Sequence, residues 1–233
     1  MQTEDILRWL YGLSASEREL APLPERLCLA CVAVMGADGG AITADYTGRD
    51  RVTLFATDWV AGRLEDLQEV VGEGPGWDAH DGDDAVSCGL AETTSWPTFV
   101  PAALQELGSV SVSAAPIRAG AAQVGVLTLY WATAPTSAPD LAAVQFLADV
   151  VGAAFYRAPV DDLAEQVPWT NRARIHRATD AVAAQLSVCV EDAMVLLRAH
   201  AFASTTALSR VAEQVIRQEL TFSPTHVGTG DLP

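Results

Sequence analysis

The chain has 233 residues, 50% hydrophobic and 19% charged, with a mean hydropathy of +0.19. That excludes a disordered chain and suits one or two packed domains of roughly 100–200 residues each. Formal net charge is −16 and all 14 basic residues are arginine, so adhesion of the whole surface to nucleic acid or anionic lipid is excluded, and any such binding must be local. No apolar run reaches the ~18 residues of a membrane span, and the opening MQTEDILRWL lacks the basic-then-apolar order of a signal peptide. A soluble, cytoplasmic protein is expected.

Taken in chain order, residues 2–14 and 22–35 predict helices, with Ile6, Leu7, Leu10 and Leu13, then Leu27, Ala30, Cys31 and Val34, at helical spacing. Gly36, Gly39 and Gly40 end the second. Alternation in AITADY and RVTLFATD around Thr47 to Asp50 predicts a β-hairpin over 41–57. Helical period returns over 59–71. From Gly72 to Trp96 the chain is polar, acidic and glycine-rich, which reads as a long loop, and such loops are usually functional or mobile. A short helix is expected over 100–107, a second strand pair over 109–117 and 121–132 around Arg118-Ala119-Gly120, and a long helix from Pro139 to Tyr156. Consecutive strands pair as hairpins without βαβ alternation, which gives an α+β class: an antiparallel sheet with flanking helices.

The 4 cysteines are too few for a disulfide scaffold. Cys28 and Cys31 form a CxxC inside a helical pattern, with no second pair to complete a zinc site, so buried, inert thiols are the simpler reading. Cys88 falls in the loop-like stretch and Cys189 near a helix start. Enzyme motifs are missing: there is no G-x-S-x-G, P-loop or HExxH. The glycines of 72–76 lack the Lys and Ser/Thr of a phosphate cradle. Asp81, Asp83 and Asp84 lack the spacing of a calcium loop.

The run GEGPGWDAHDGDDAV, then SWPTFVPAAL, then the strand pair closed by Gly125-Val126-Leu127 resembles the GAF domain of signalling proteins over about 20–158. The resemblance implies a sensor or dimerisation domain with a central antiparallel sheet and, in many members, a small-molecule pocket over one sheet face. Trp77, Asp78, His80, Cys88 and Trp96 are the ligand-pocket candidates; loop packing or solvation is the alternative for each. His80 alone makes a poor haem or zinc ligand, since His176, His200 and His226 lie far downstream. A linear tetrapyrrole would need a reactive cysteine, for which Cys88 is the candidate, and methionine sulfoxide reduction through Cys88 is the enzymatic alternative. No cofactor and no metal is assigned.

Pro159 breaks the long helix, and 159–168 reads as a linker between a sensor domain over 1–158 and a helical module over 169–222. The tail 223–233 has no apolar period. Residues 166–223 hold six Arg against five acids, so nearly all the negative charge lies elsewhere, an asymmetry that suggests two jobs. Helices are expected over 169–186 (Ile175, Ala178, Val182, Leu186), after Ser187-Val188-Cys189 with Glu191 and Asp192 in its first turn (Ala193, Leu196, Leu197, Ala201), and from N-cap residues Ser204, Thr205 or Thr206 (Leu208, Val211, Ala212, Val215, Ile216, Leu220).

The module, carried by Ile175, Ala178, the run from Ser187 to Ala193, Leu197-Arg198, Ala201, Leu208, Val211-Ala212 and Val215, resembles the ANTAR domain of transcription antitermination regulators. The resemblance implies a homodimer that binds tandem hairpins in nascent mRNA and prevents a terminator from forming. Carried over residue by residue, the RNA-binding candidates are Arg174, Arg177, Ala178, Thr179, Arg198, His200 and Ser204, with a bridging role inside the bundle as the alternative for Arg198. Asp180 stands where many members carry glycine, and a carboxylate beside an RNA backbone is unfavourable. The alternatives are a signalling scaffold that binds no RNA, and a helix-turn-helix, although no helix carries the polar face that reads a major groove.

Overall fold

The computed structural model describes residues 21–47, 50–133, 139–158 and 169–223. The expected helix over 2–14, the linker 159–168 and residues 224–233 lie outside the described residues. The described chain divides into two compact units, one ending at Pro168 and the other beginning at Trp169.

In the first unit, α1 (Leu23–Met35) starts with prolines at Pro22 and Pro24 and stops at Gly36, whose φ of 59° is the left-handed conformation glycine adopts without strain. It leads into β1 (Gly39–Thr47), paired antiparallel with β2 (Asp50–Ala56). Helix α2 (Trp59–Val71) is capped by Asp58, whose carboxylate accepts from Ala61 N at 2.9 Å, and ends at Gly72. The expected loop after Gly72 is instead a short helix, α3 (Pro75–Gly82), and a four-residue strand, β3 (Val86–Gly89). Then come α4 (Phe99–Leu107), the hairpin β4 (Ser111–Ala119) and β5 (Ala122–Trp131), and α5 (Leu141–Arg157).

The five strands lie in the order β2-β1-β5-β4-β3, every neighbouring pair antiparallel. The two expected hairpins thus join through β1 and β5. Side-chain alternation sorts the core into two layers. Ile42, Ala115, Ile117, Leu127 and Leu129 face α1 and α5, meeting Leu27, Cys28, Cys31, Leu147 and Val151. Ala41, Val112 and Tyr130 face the other way, meeting Leu64 and Leu67 of α2 and Phe99 and Ala103 of α4. Ala79 of α3 packs against Ala114 and Val126.

The second unit contains α6 (Trp169–Leu186), α7 (Val190–Ala203) and α8 (Leu208–Ile216). Its core is Ala178, Val182, Ala193, Leu197, Ala201, Leu208, Val211, Ala212 and Val215, all buried. Three expectations change here. The N-cap of α8 is Ala207, because Ser204 ends α7 with its hydroxyl donating to the His200 carbonyl at 2.7 Å. Leu196 is on the exposed side of α7, and Leu220 lies beyond the end of α8. Among the described residues, no helix is long and apolar enough to cross a membrane.

Candidate functional site

On the sheet face covered by α2 and α3, a cluster of polar side chains is buried within the apolar layer. The buried polar residues there come from four elements: Thr43 from β1, Arg51 from β2, Glu65 and Gln68 from α2, and Thr128 from β5. Glu65 and Gln68 lie three residues apart on α2, and on a helix that spacing aims both at the sheet. The Arg51 guanidinium donates through Nη2 to Thr43 Oγ1 at 2.9 Å, and the same nitrogen lies 3.8 Å from Glu65 Oε2. Gln68 Nε2 donates to Glu65 Oε1 at 3.1 Å, while Gln68 Oε1 accepts from Gly76 N at 2.7 Å. Burial pushes the Glu65 carboxyl above its ordinary range, and the Arg51 charge, with the hydrogen bond from Gln68, works against that shift.

The glycine-rich motif is built into this core. Gly74 has φ 135°, a conformation few other residues adopt, and its position lies directly on the Gln68 side chain. Glu73 turns the other way. Its carboxylate accepts from Thr98 N at 2.9 Å and Phe99 N at 3.2 Å, placing an anion at the start of α4. The motif therefore organises α3 and α4.

The five pocket candidates part company. Trp77 is buried: its indole N–H donates to the Gln68 carbonyl at 2.7 Å and its ring lies 5.0 Å from the Arg51 guanidinium carbon. His80 meets Trp77 edge-on at 6.4 Å and places Nδ1 3.0 Å from Asp81 Oδ1. Asp78 is exposed. Cys88 is half-buried on β3 opposite Val112, and burial, with the nearby Asp78 charge, pushes its thiol up to about 11. A thiol so placed is a weak nucleophile at neutral pH. Trp96 belongs to the α4 side, edge-on to Phe99 at 6.2 Å. Of the five, Trp77 touches the buried cluster, and sequence reasoning missed Arg51, Glu65, Gln68, Thr43 and Thr128. The available signal was the Glu65–Gln68 spacing on the apolar side of an otherwise amphipathic helix.

Cys28 and Cys31 are both buried. Burial raises both thiols, Cys31 to about 12. Asp83 of the acidic cluster accepts from Arg118 Nε at 2.9 Å. Among the described residues, no group of three or more His, Cys, Asp or Glu could hold a metal ion.

In the helical unit, Arg177 is exposed, Arg174, Arg198 and His200 are half-buried, and Ser204 is exposed. His200 packs edge-on against Phe222 at 5.6 Å. Ala178 and Thr179 are fully buried, and the Thr179 hydroxyl donates to the Ile175 carbonyl at 2.7 Å. Of the RNA-binding candidates, these two therefore lie inside the helical unit rather than on its surface. Asp180, next along α6, is exposed.

This architecture is matched by an established family: the GAF domain profile fits residues 23–155. The chain belongs to the GAF domain family. No curated protein matches the chain. Among solved structures, it is similar to the phytochrome photosensory core module of Stigmatella aurantiaca, at 10% identity and a TM-score of 0.45. That alignment covers 84% of this chain and 45% of the other, so the chain spans less than half the length of that module.

Proposed function

We propose that this protein is a signal-responsive transcription antitermination regulator: residues 169–222 bind hairpins in nascent mRNA, and the GAF domain gates them. The role is regulatory rather than enzymatic, the working form is a homodimer, and the GAF domain takes a signal, small molecules being the usual kind. The carrying observation is the placement of arginine in the helical unit. Its core is small and apolar, and Arg177, with Arg174 and Arg198, lies at or near its surface while most acidic residues lie outside the unit. Hairpin loops present unstacked bases and phosphates that such side chains reach. The proposed contact set is Arg174, Arg177, Ala178, Thr179, Arg198, His200 and Ser204, with Ala178 and Thr179 buried beneath the others.

The test is a salt titration of the full chain against an RNA with two tandem hairpins, with a scrambled single strand as control. Selective binding that weakens with salt is expected. Changing Arg174 and Arg177 together to Ala should weaken it at least about tenfold and flatten the salt slope by roughly one to two, with the melting temperature unchanged. A lowered melting temperature with unchanged affinity would make both residues structural. The alternative is a scaffold that binds protein through the same unit, favoured by the exposed Val195 and Phe202 on α7. It predicts no selectivity for hairpins at any salt concentration.

A further inference from the structure

Helix α3 is only eight residues long and rich in Asp and Gly, yet it is fastened to the domain at five points. Gly76 N–H and the Trp77 indole N–H both donate to Gln68, each at 2.7 Å. The Trp77 ring lies against Arg51. The His80 carbonyl accepts from Gln123 Nε2 at 3.1 Å, and Asp83 holds Arg118. The first three fastenings converge on one compartment between sheet and helix.

That compartment is shaped around a planar cation. Its occupant is the Arg51 guanidinium, with a hydroxyl at 2.9 Å from Thr43, a carboxylate at 3.8 Å from Glu65 and the Trp77 ring at 5.0 Å. One hydrogen-bond acceptor, a counter-charge beyond hydrogen-bond distance and an aromatic surface surround the guanidinium, a planar cation that stacks on a ring as well as pairing with charge. The helix backbone conforms as well: a Cβ at Gly76 would stand 3.1 and 3.2 Å from the two terminal guanidinium nitrogens.

We infer that the space between the sheet and α3 is a guanidinium-recognition site whose occupant is the chain's own Arg51, and that this occupancy holds α3 closed. Guanidino compounds are the class the site accepts once Arg51 is removed. In the intact chain, a signal acting in this space displaces Arg51 and is read as release of α3. The inference stands independently of RNA binding.

Hydrogen exchange of the full chain, followed by mass spectrometry, tests it. Arg51→Ala should raise exchange over residues 74–82 by about tenfold or more, because the opening free energy of that segment falls, while residues 169–216 are unaffected. Methylguanidinium at about 10 mM, too dilute to denature, should restore protection, and methylammonium at the same concentration should not. Unchanged exchange over 74–82, or equal restoration by both cations, overturns the inference. Should Arg51→Ala fail to fold, Arg51→Lys decides: faster exchange over 74–82 in a folded chain supports a guanidinium site, and wild-type protection refutes it.

Discussion

Asp66 sits one position from Glu65 on α2 and is held in an unfavourable charge state. Burial is the largest cause of its raised pKa; Arg63 pulls it down, Glu65 and Glu106 push it up, and the result is about 6 against an ordinary 3.8. Between those values the folded chain keeps a proton that the unfolded chain releases. The resulting stabilisation is fully present below about pH 4 and is lost as pH rises through 6. Glu65 is shifted in the same direction. At about 1.36 kcal/mol per pKa unit, discounted because Asp66 is partly exposed, the ionised carboxylate costs roughly 1–2 kcal/mol at neutral pH. Asp66→Asn should therefore raise the melting temperature by a few degrees at pH 7.5 and leave it unchanged near pH 4. Thermal melts at the two values check this, and an equal gain at both would assign the effect to something other than charge. At the same residue scale, burial raises the thiols of Cys88, Cys28 and Cys31 and favours their protonated form.

At the scale of elements, α5 packs directly on the backbone of β4 at Gly152. A Cβ there would collide with the backbone carbonyl of Arg118 on β4, and backbone cannot swing aside as a flexible side chain can. Gly152→Ala should cost about 3 kcal/mol, lowering the melting temperature by roughly 6–12 °C; a melt within a degree of wild type would show that α5 shifts without penalty. Elements whose apolar spacing carries their stability were legible in the sequence: α1, α2, both hairpins, α5, and the three helices after Pro168. Helix α3 and strand β3 were not. PGWDAHDG has little helical periodicity, and its conformation is secured by Gln68, Arg51, Gln123 and Arg118, contacts remote in sequence. β3 is four residues long and is a strand because β4 pairs with it. The site was legible only in part. Trp77 stood out as an aromatic in a glycine-rich motif, but an arginine in an alternating strand reads as solvent-facing, and Glu65 and Gln68 read as polar decoration until the sheet brings Arg51 beneath them. Ser204 to Thr206 looked like an N-cap, yet the serine hydroxyl is spent on the preceding helix.

At the scale of the whole molecule, each unit buries its own core. The sheet domain packs two apolar layers around five strands, and the helical unit closes on Ala178, Leu197, Val211 and their neighbours. A change confined to one core should therefore leave the other standing. Val211 is fully buried in a core that is apolar apart from Thr179, whose hydroxyl is spent on the Ile175 carbonyl. An aspartate there would be an unpaired buried charge, which costs about 3–5 kcal/mol, a large share of what a unit of this size can muster. Val211→Asp should collapse residues 169–216, removing their helical dichroism and hydrogen-exchange protection, while the GAF domain keeps both its protection over 23–157 and its thermal transition. Native dichroism in the variant would mean that α8 does not bury this face. Loss of both units together would mean that the helical unit is a prop for the sensor, in which case a signal at one end could not be read as an independent event at the other.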